Sequence, residues 1–132
     1  MFLGAVGIEM KEKEIISKEQ LISISEGMKY TFGNEELYYQ VLEMYVEKGL
    51  EKQVYINDLC KKRDWKNYII EVHALKSSSQ SIGAISLFEL AKKLEFAGKE
   101  ENYHVIEDEN LTLSTLYEQV IEEAKRMISE KG

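Results

Sequence analysis

The segment from Asp64 to Gly83, DWKNYIIEVHALKSSSQSIG, decides how the rest of the chain is interpreted. Its apolar and small residues recur at three- and four-residue spacing, which places them on one stripe of a helix that turns about 100° per residue. Asp64 can cap the start of this helix, and Gly83 can end it. The segment therefore predicts an amphipathic helix whose buried stripe comprises Trp65, Tyr68, Ile69, Val72, Leu75, Ser79 and Ile82.

Further helices are predicted on both sides of this segment. Downstream, Ser86 to Glu89 has the spacing of a capping box, so we expect a helix from there to Gly98 and a last one from about His104 to Ile128. Upstream, Asn34 can cap a helix that we expect to break or bend near Gly49 before a third helical stretch ends near Arg63. A capping box at residues 17–20 predicts a short first helix from about residue 18 to residue 28.

The fold class follows from these helices and from the shortness of their connections. No strand-like alternation is sustained, and short connections favour antiparallel neighbours. We expect an all-α fold, an antiparallel four-helix bundle with one or two additional short N-terminal helices. This domain should span residues 17–132, and residues 1–16 are interpreted as an N-terminal tail or junction remnant.

The composition of the 132 residues fits one helical domain. The net charge of -7 without a lysine or arginine cluster argues against nucleic acid as a partner. Cys60 is the only cysteine, which excludes an intrachain disulfide and a thiolate zinc site. The single cysteine fits a reducing cytoplasm, so we expect a cytoplasmic location. We expect no direct membrane contact, because the apolar start of the chain falls short of the roughly 20 residues that a spanning helix needs.

His73 is the candidate functional residue of the central helix. It lies about 100° from Val72 on the helical wheel, so its imidazole should be accessible to solvent. Lys76 follows at i+3 toward the buried edge, and Ser77 and Gln80 continue along the exposed side. An exposed imidazole with a cation one turn away and small neighbours is what a phosphoryl acceptor needs. Spacing alone leaves an ordinary surface histidine as the alternative.

The run from His73 to Ala84, HALKSSSQSIGA, resembles the signature of histidine phosphotransfer (HPt) domains. That signature is His-x-Leu-Lys-Gly-Ser-Ser, followed by Gly-Ala at the end of the helix. The similarity extends into Leu94-Glu95 and covers about residues 27–128. Residues 38–45 and 64–65 resemble the domains at the C-terminal ends of hybrid sensor histidine kinases. The expected cytoplasmic location is therefore that of a separate protein or of the cytoplasmic domain of a membrane-bound hybrid kinase.

The resemblance implies a phosphoryl carrier without autonomous kinase activity. His73 would accept a phosphoryl group from a receiver-domain aspartate and pass it to another, while Lys76 would stabilise the phosphoryl oxygens as a point charge. Lys92, one turn before Glu95, is a further candidate for this role, with a solubilising lysine on an exposed face as the alternative. Response-regulator receiver domains and a sensor histidine kinase are the implied partners. The chain has no glycine-rich phosphate loop and no acidic metal cradle, so we expect no cofactor and no metal ligand on it and place Mg²⁺ on the receiver.

Helix geometry places Glu95 beside His73. With the turn near Ala84, His73 lies eleven residues before it and Glu95 eleven after it, so antiparallel helices bring both to roughly 16 Å from the turn. Members of the family commonly carry a carboxylate or amide here. This implies that Glu95 accepts the proton of Nδ1 in a hydrogen bond, which leaves Nε2 as the nucleophile. A solvated helix residue is the alternative.

A receiver should dock over His73 on an apolar patch with a polar rim, and Ser77 and Gln80 are the docking candidates. Ser77 stands where the family commonly has glycine, which leaves slightly less room for a partner. We expect a monomer, because the predicted helices can bury their own stripes.

Three other interpretations remain open at this stage. The chain could be a helical interaction bundle, a degenerate phosphotransfer domain that is never phosphorylated. It could be the direct substrate of an ATP-binding kinase domain. Glu101-x-x-His104 has the spacing of a di-iron motif, although two such motifs would be required.

Overall fold

The computed structural model describes residues 21–131, and over this range the chain forms helices joined by short turns, without any strand. The elements are α1 (Ile24–Met28), a 3₁₀ turn (Lys29–Thr31), α2 (Glu35–Lys62), α3 (Trp65–Ile82), α4 (Ile85–Lys99) and α5 (Tyr103–Lys131). Helix α3 packs between α2 and α4, and α5 closes the bundle against the same two helices. The predicted all-α bundle is confirmed. None of the helices within residues 21–131 is long and apolar enough to cross a membrane.

Polar caps and left-handed residues define where α2 and α3 begin and end. Oδ1 of Asn34 accepts from the amide of Leu37 at 3.0 Å, and Oδ1 of Asp64 accepts from the amide of Asn67 at 3.4 Å. Arg63 and Gly83 end the two helices in the left-handed conformation, with their amides bonded to the last carbonyls. These groups satisfy backbone atoms that a helix end leaves unpaired. The predicted boundaries at these residues are confirmed.

The predicted break near Gly49 is wrong, because α2 continues without interruption from Glu35 to Lys62. Gly49 is buried, and a Cβ at this position would lie 2.6 Å from Cδ1 of Ile121 on α5. The glycine allows α2 and α5 to approach closely. Tertiary packing outweighs the low helix propensity of one glycine.

The boundaries of α4 also differ from the prediction. The helix begins at Ile85 with Ala84 as its N-cap and no side-chain cap, so the capping box at Ser86 does not form. It then continues through Gly98 to Lys99, because Gly98 lies against Ile69 of α3, whose Cγ1 would be 2.6 Å from an added Cβ. Helix α5 extends three residues beyond the predicted end.

Leu21 is helical, but the predicted first helix is interrupted directly after this residue. Ile22 and Ser23 are not helical, and Oγ of Ser23 caps α1 by accepting from the amide of Glu26 at 3.3 Å. The capping box at residues 17–20 and the tail at residues 1–16 lie outside the described residues. Within the described residues, the predicted short N-terminal helix is represented by Leu21 and by Ile24–Met28.

The rotation of α3 is fixed by its buried side. Trp65 and Ile69 of the predicted stripe are partly exposed. Its other five members are buried: Tyr68, Val72, Leu75, Ser79 and Ile82. Three buried tyrosine hydroxyls add hydrogen bonds. From α2, the hydroxyl of Tyr38 donates to the carbonyl of Ile82 at 2.7 Å, and the hydroxyl of Tyr45 lies 2.9 Å from that of Ser79. From α3, the hydroxyl of Tyr68 donates to Oδ1 of Asn110 at 2.8 Å. Buried polar groups that are hydrogen-bonded make a core orientation specific. The opposite side of α3 consequently faces solvent.

Candidate functional site

His73 lies in the middle of α3 on its solvent side. Its side chain is 56% exposed, although Val72 and Leu75 on the same turn are buried. The buried stripe thus directs the imidazole outward, as the helical wheel predicted. A partner molecule can reach the ring without rearrangement of the bundle.

Glu95 of α4 contacts the ring of His73. Oε2 of Glu95 lies 2.7 Å from Nδ1 of His73, so the contact expected from the helix register is present. A carboxylate can only accept a hydrogen bond, which means that Nδ1 is the donor. In the neutral imidazole, Nε2 then carries the lone pair.

Glu95 is buried, at 3% exposure, and accepts three hydrogen bonds. Besides His73, Nζ of Lys76 lies 2.7 Å from Oε1, and Nζ of Lys99 lies 3.0 Å from Oε2. Burial by itself raises the pKa of Glu95, but the hydrogen bonds from Lys76, Lys99 and His73 outweigh it and lower the pKa to about 2. Glu95 is therefore ionised at neutral pH, and its burial excludes the solvated alternative.

Lys76 and Lys92, the two predicted cations, occupy different positions. Lys76 is 24% exposed and is held by Glu95 on the inner side of the site. Lys92 is exposed, and its Nζ lies 5.9 Å from the ring centroid of Phe88. Lys99 was not singled out by the sequence analysis. The i,i+4 spacing of Glu95 and Lys99 on one helix is the signal that could have identified it.

Two surfaces of different chemistry flank His73. Toward α2, a groove of about 330 Å³ has an apolar floor with a polar rim and is lined by Val41, Met44, Tyr45, Lys48, Lys52, Ile56, Glu71, Ala74, Leu75, Ser78, Ser81 and Tyr117. Along α4, a cleft is lined mainly by lysines: Lys76, Glu89, Lys92, Lys93, Glu95, Phe96 and Lys99. Ser77 is exposed one turn after His73, and Gln80 is partly exposed. The apolar groove agrees with the apolar patch that the sequence analysis expected beside His73.

The di-iron interpretation loses its geometric basis. Glu101 has a left-handed φ of 61° in the turn before α5, which starts only at Tyr103. Glu101 and His104 therefore do not lie on one helix at i,i+3. Within residues 21–131, no group of three or more His, Cys, Asp and Glu side chains could hold a metal ion.

The charge of Glu95 should make a pH-dependent contribution to stability. Its pKa is about 2 in the folded chain and 4.5 without these contacts, so the contribution is complete above about pH 4.5 and is lost as the pH falls toward 2. We expect Glu95→Gln to lower the free energy of unfolding by about 1–3 kcal/mol at neutral pH, and the difference from wild type to shrink by about pH 3.

Urea denaturation at about pH 7, 5 and 3 measures this difference. Glu89→Gln is the matched control, because Glu89 is an exposed carboxylate on the same helix and lines the same cleft. A loss of stability in Glu95→Gln that stays constant across the three pH values would contradict the assignment to the ionised carboxylate.

The comparisons with known proteins identify one family. The family model for the Hpt domain matches residues 40–126, about two thirds of the chain. The match begins early in α2 and ends within α5, so His73, Lys76 and Glu95 all lie inside it. No curated protein and no solved structure matches the chain.

Proposed function

Since the chain belongs to the Hpt domain family, and is thereby a phosphotransfer carrier of two-component signalling rather than an enzyme, we propose that His73 is its phosphoacceptor. In this proposal Nε2 of His73 takes a phosphoryl group from the aspartate of one receiver domain and passes it to the aspartate of another. The observation that carries the proposal is the exposed imidazole whose Nδ1 is hydrogen-bonded to the buried, ionised Glu95.

The transfer step uses the lone pair that this hydrogen bond leaves on Nε2. The pair forms a bond to phosphorus while the bond from phosphorus to the aspartyl oxygen of the receiver breaks, and its electrons return to the receiver carboxylate. The ring keeps its Nδ1 proton and becomes positively charged. Glu95, at 2.7 Å from Nδ1, stabilises that charge. Onward transfer is the reverse reaction with a second receiver.

Charge neutralisation on the phosphoryl oxygens is divided between the two proteins in this proposal. A loose phosphoryl-transfer transition state requires cations near the equatorial oxygens. Lys76 supplies one ammonium group beside His73, and we place the divalent cation, Mg²⁺, on the receiver. The described site has no acidic cluster of its own that could hold it.

The groove between α2 and α3 is the proposed docking surface. Met44 is 61% exposed at its edge, Lys48 and Lys52 lie on its rim, and Ser77 is exposed one turn after His73. An apolar centre with a polar rim is the usual composition of a transient interface. Receiver domains and histidine kinases are the general partners of the family, and we place their docking on this surface.

The proposal is tested by phosphoryl transfer to the full chain from a panel of radiolabelled phospho-receiver domains, beside a parallel reaction with a histidine kinase core and ATP. Acid-labile, base-stable label that appears only with a receiver supports the relay. Label that appears with the kinase core and ATP in the absence of any receiver indicates a direct kinase substrate. Binding of receivers without label would favour the degenerate interaction bundle.

Ser77→Tyr should separate docking from chemistry. The exposed tyrosine would obstruct a receiver one turn from His73, whereas phosphoramidate, a small phosphoryl donor, would still reach Nε2. We expect receiver-dependent labelling to fall about tenfold or more, as the loss of about 1.4 kcal/mol of binding implies, and labelling by phosphoramidate to stay within about twofold. An equal loss with both donors would contradict a docking role. Thr115→Tyr is the matched control, because Thr115 is exposed on α5. The neighbouring Ser114 is not used, because its hydroxyl is hydrogen-bonded to Gln53 and Asn57.

A further inference from the structure

Glu95 forms an ion pair with Lys99 in addition to its contacts with His73 and Lys76. Nζ of Lys99, the last residue of α4, lies 3.0 Å from Oε2, the same oxygen that accepts from Nδ1 of His73. The Lys99 side chain is 59% exposed, whereas Lys76 is mostly buried. Lys99 therefore contributes little to the core but shares the oxygen on which the reactive ring depends.

The charge around Glu95 is unbalanced in favour of cations. One carboxylate faces two ammonium groups, which leaves a formal excess of one positive charge next to the imidazole. Such an excess disfavours any state in which the ring itself is positive, whether by protonation or by phosphorylation of Nε2. Removing Lys99 would leave the pair of Lys76 and Glu95 neutral, and a positive ring would become more stable.

Other charged side chains near the site have different contacts. On α3, Glu71 is bound by Lys52 of α2. On α4, Lys93 is bound by Glu109 of α5, Lys92 lies over the ring of Phe88, and Glu89 is exposed on the rim of the cleft. Within residues 21–131, only Lys76 and Lys99 form ion pairs with Glu95 in addition to His73. Replacement of the exposed Lys99 can thus change the net charge around Glu95 without disturbing the core.

We propose that Lys99 is a positioning residue that reduces the stabilisation of a positively charged His73 ring by Glu95 and so keeps the phosphorylated ring ready to release its phosphoryl group. This inference rests on the proposed carrier function. Lys99 acts through Glu95 and does not touch the transferred group. Without it, the charged ring is stabilised, and the domain accepts phosphoryl groups only at higher pH and holds them longer.

The first measurement is a pH titration of the His73 ring in the unphosphorylated full chain, monitored by the ¹⁵N chemical shifts of the ring. It compares wild type with three variants: Lys99→Met, Lys99→Arg and Lys92→Met. We expect Lys99→Met to raise the affinity of the ring for a proton by about threefold to tenfold, a displacement of about half to one pH unit. Arginine keeps the charge and should restore the wild-type midpoint. Lys92→Met removes a lysine that lines the same cleft but forms no ion pair with Glu95, and it should leave the midpoint unchanged.

The second measurement uses chains phosphorylated by phosphoramidate, which requires no partner protein. The pH profile of phosphoryl acceptance by Lys99→Met should move to higher pH, and release to a receiver should slow by about threefold to tenfold. A merely structural role of Lys99 would lower acceptance at every pH without moving the profile. An unchanged ring midpoint in Lys99→Met, or an equal displacement in Lys92→Met, overturns the inference.

Failure of the inference is distinguishable from failure of the proposed function. If wild type accepts phosphoryl groups from receivers but Lys99→Met behaves like wild type, the carrier function stands and the role of Lys99 is wrong. If wild type accepts none from any receiver, the carrier function fails, and the role of Lys99 in phosphoryl release fails with it.

Discussion

Replacement of His73 by glutamine is expected to abolish phosphoryl acceptance from every donor while the bundle stays folded. Nε2 of His73 is the proposed nucleophile, and the glutamine amide offers no comparable lone pair. Loss of the group that forms the covalent bond should reduce the rate of labelling by at least about a thousandfold. The side chain is largely exposed, so the free energy of unfolding should change by no more than about 1 kcal/mol, mainly through the lost hydrogen bond to Glu95.

His104→Gln is the matched control for this experiment. His104 is the second histidine of the chain and is exposed at the start of α5, so its replacement should leave labelling unchanged. The label on wild type should be lost in acid and retained in base, as expected for phosphorus bonded to nitrogen. Equal labelling of His73→Gln and wild type would show that another residue accepts the phosphoryl group.

The central helix could be predicted from sequence because three independent signals agree there. The stripe of apolar residues fixes which side of α3 is buried, Asp64 caps its start, and Gly83 ends it in the left-handed conformation. The same rotation places His73 in solvent. When periodicity and both ends of a helix are consistent, the exposed residues on that helix follow directly.

The errors at Gly49 and Gly98 have one physical cause. In a sequence, a glycine inside a helical pattern indicates a break, because glycine has low helix propensity. Both glycines instead allow close contact, Gly49 with Ile121 and Gly98 with Ile69. Tertiary contacts of this kind involve residues far apart in the chain, and helix propensity alone does not indicate which of these residues will meet.

The candidate site was predictable only in part for a related reason. The contact of His73 with Glu95 follows from equal distances to one tight turn, which a count along the chain can provide. The burial of Glu95 and the shared oxygen that Lys99 occupies depend on side-chain conformations in the folded bundle. The docking groove is lined by residues of α2 on both sides of Gly49, so it depends on a continuous α2 and not on the predicted break near Gly49.

Gly83→Ala is expected to cause a large loss of stability. Gly83 has a φ of +85°, and a Cβ there would lie 1.9 Å from the carbonyl oxygen of Ser23, which precedes α1. The substitution must strain the backbone and displace Ser23, whose amide donates to the Gly83 carbonyl at 2.9 Å. We expect the free energy of unfolding, measured by urea denaturation, to fall by about 3 kcal/mol or more.

Gly33→Ala separates the two contributions to this loss. Gly33 also has a positive φ, of +77°, but a Cβ there would meet no atom within 4 Å. Its replacement should therefore cost only the backbone strain, about 1–2 kcal/mol. A loss for Gly83→Ala no larger than that for Gly33→Ala would show that contact with Ser23 is not what requires glycine at this turn. A clearly larger loss would show that the turn joining α3 to α4, which sets the register of His73 and Glu95, is held from outside by the segment before α1.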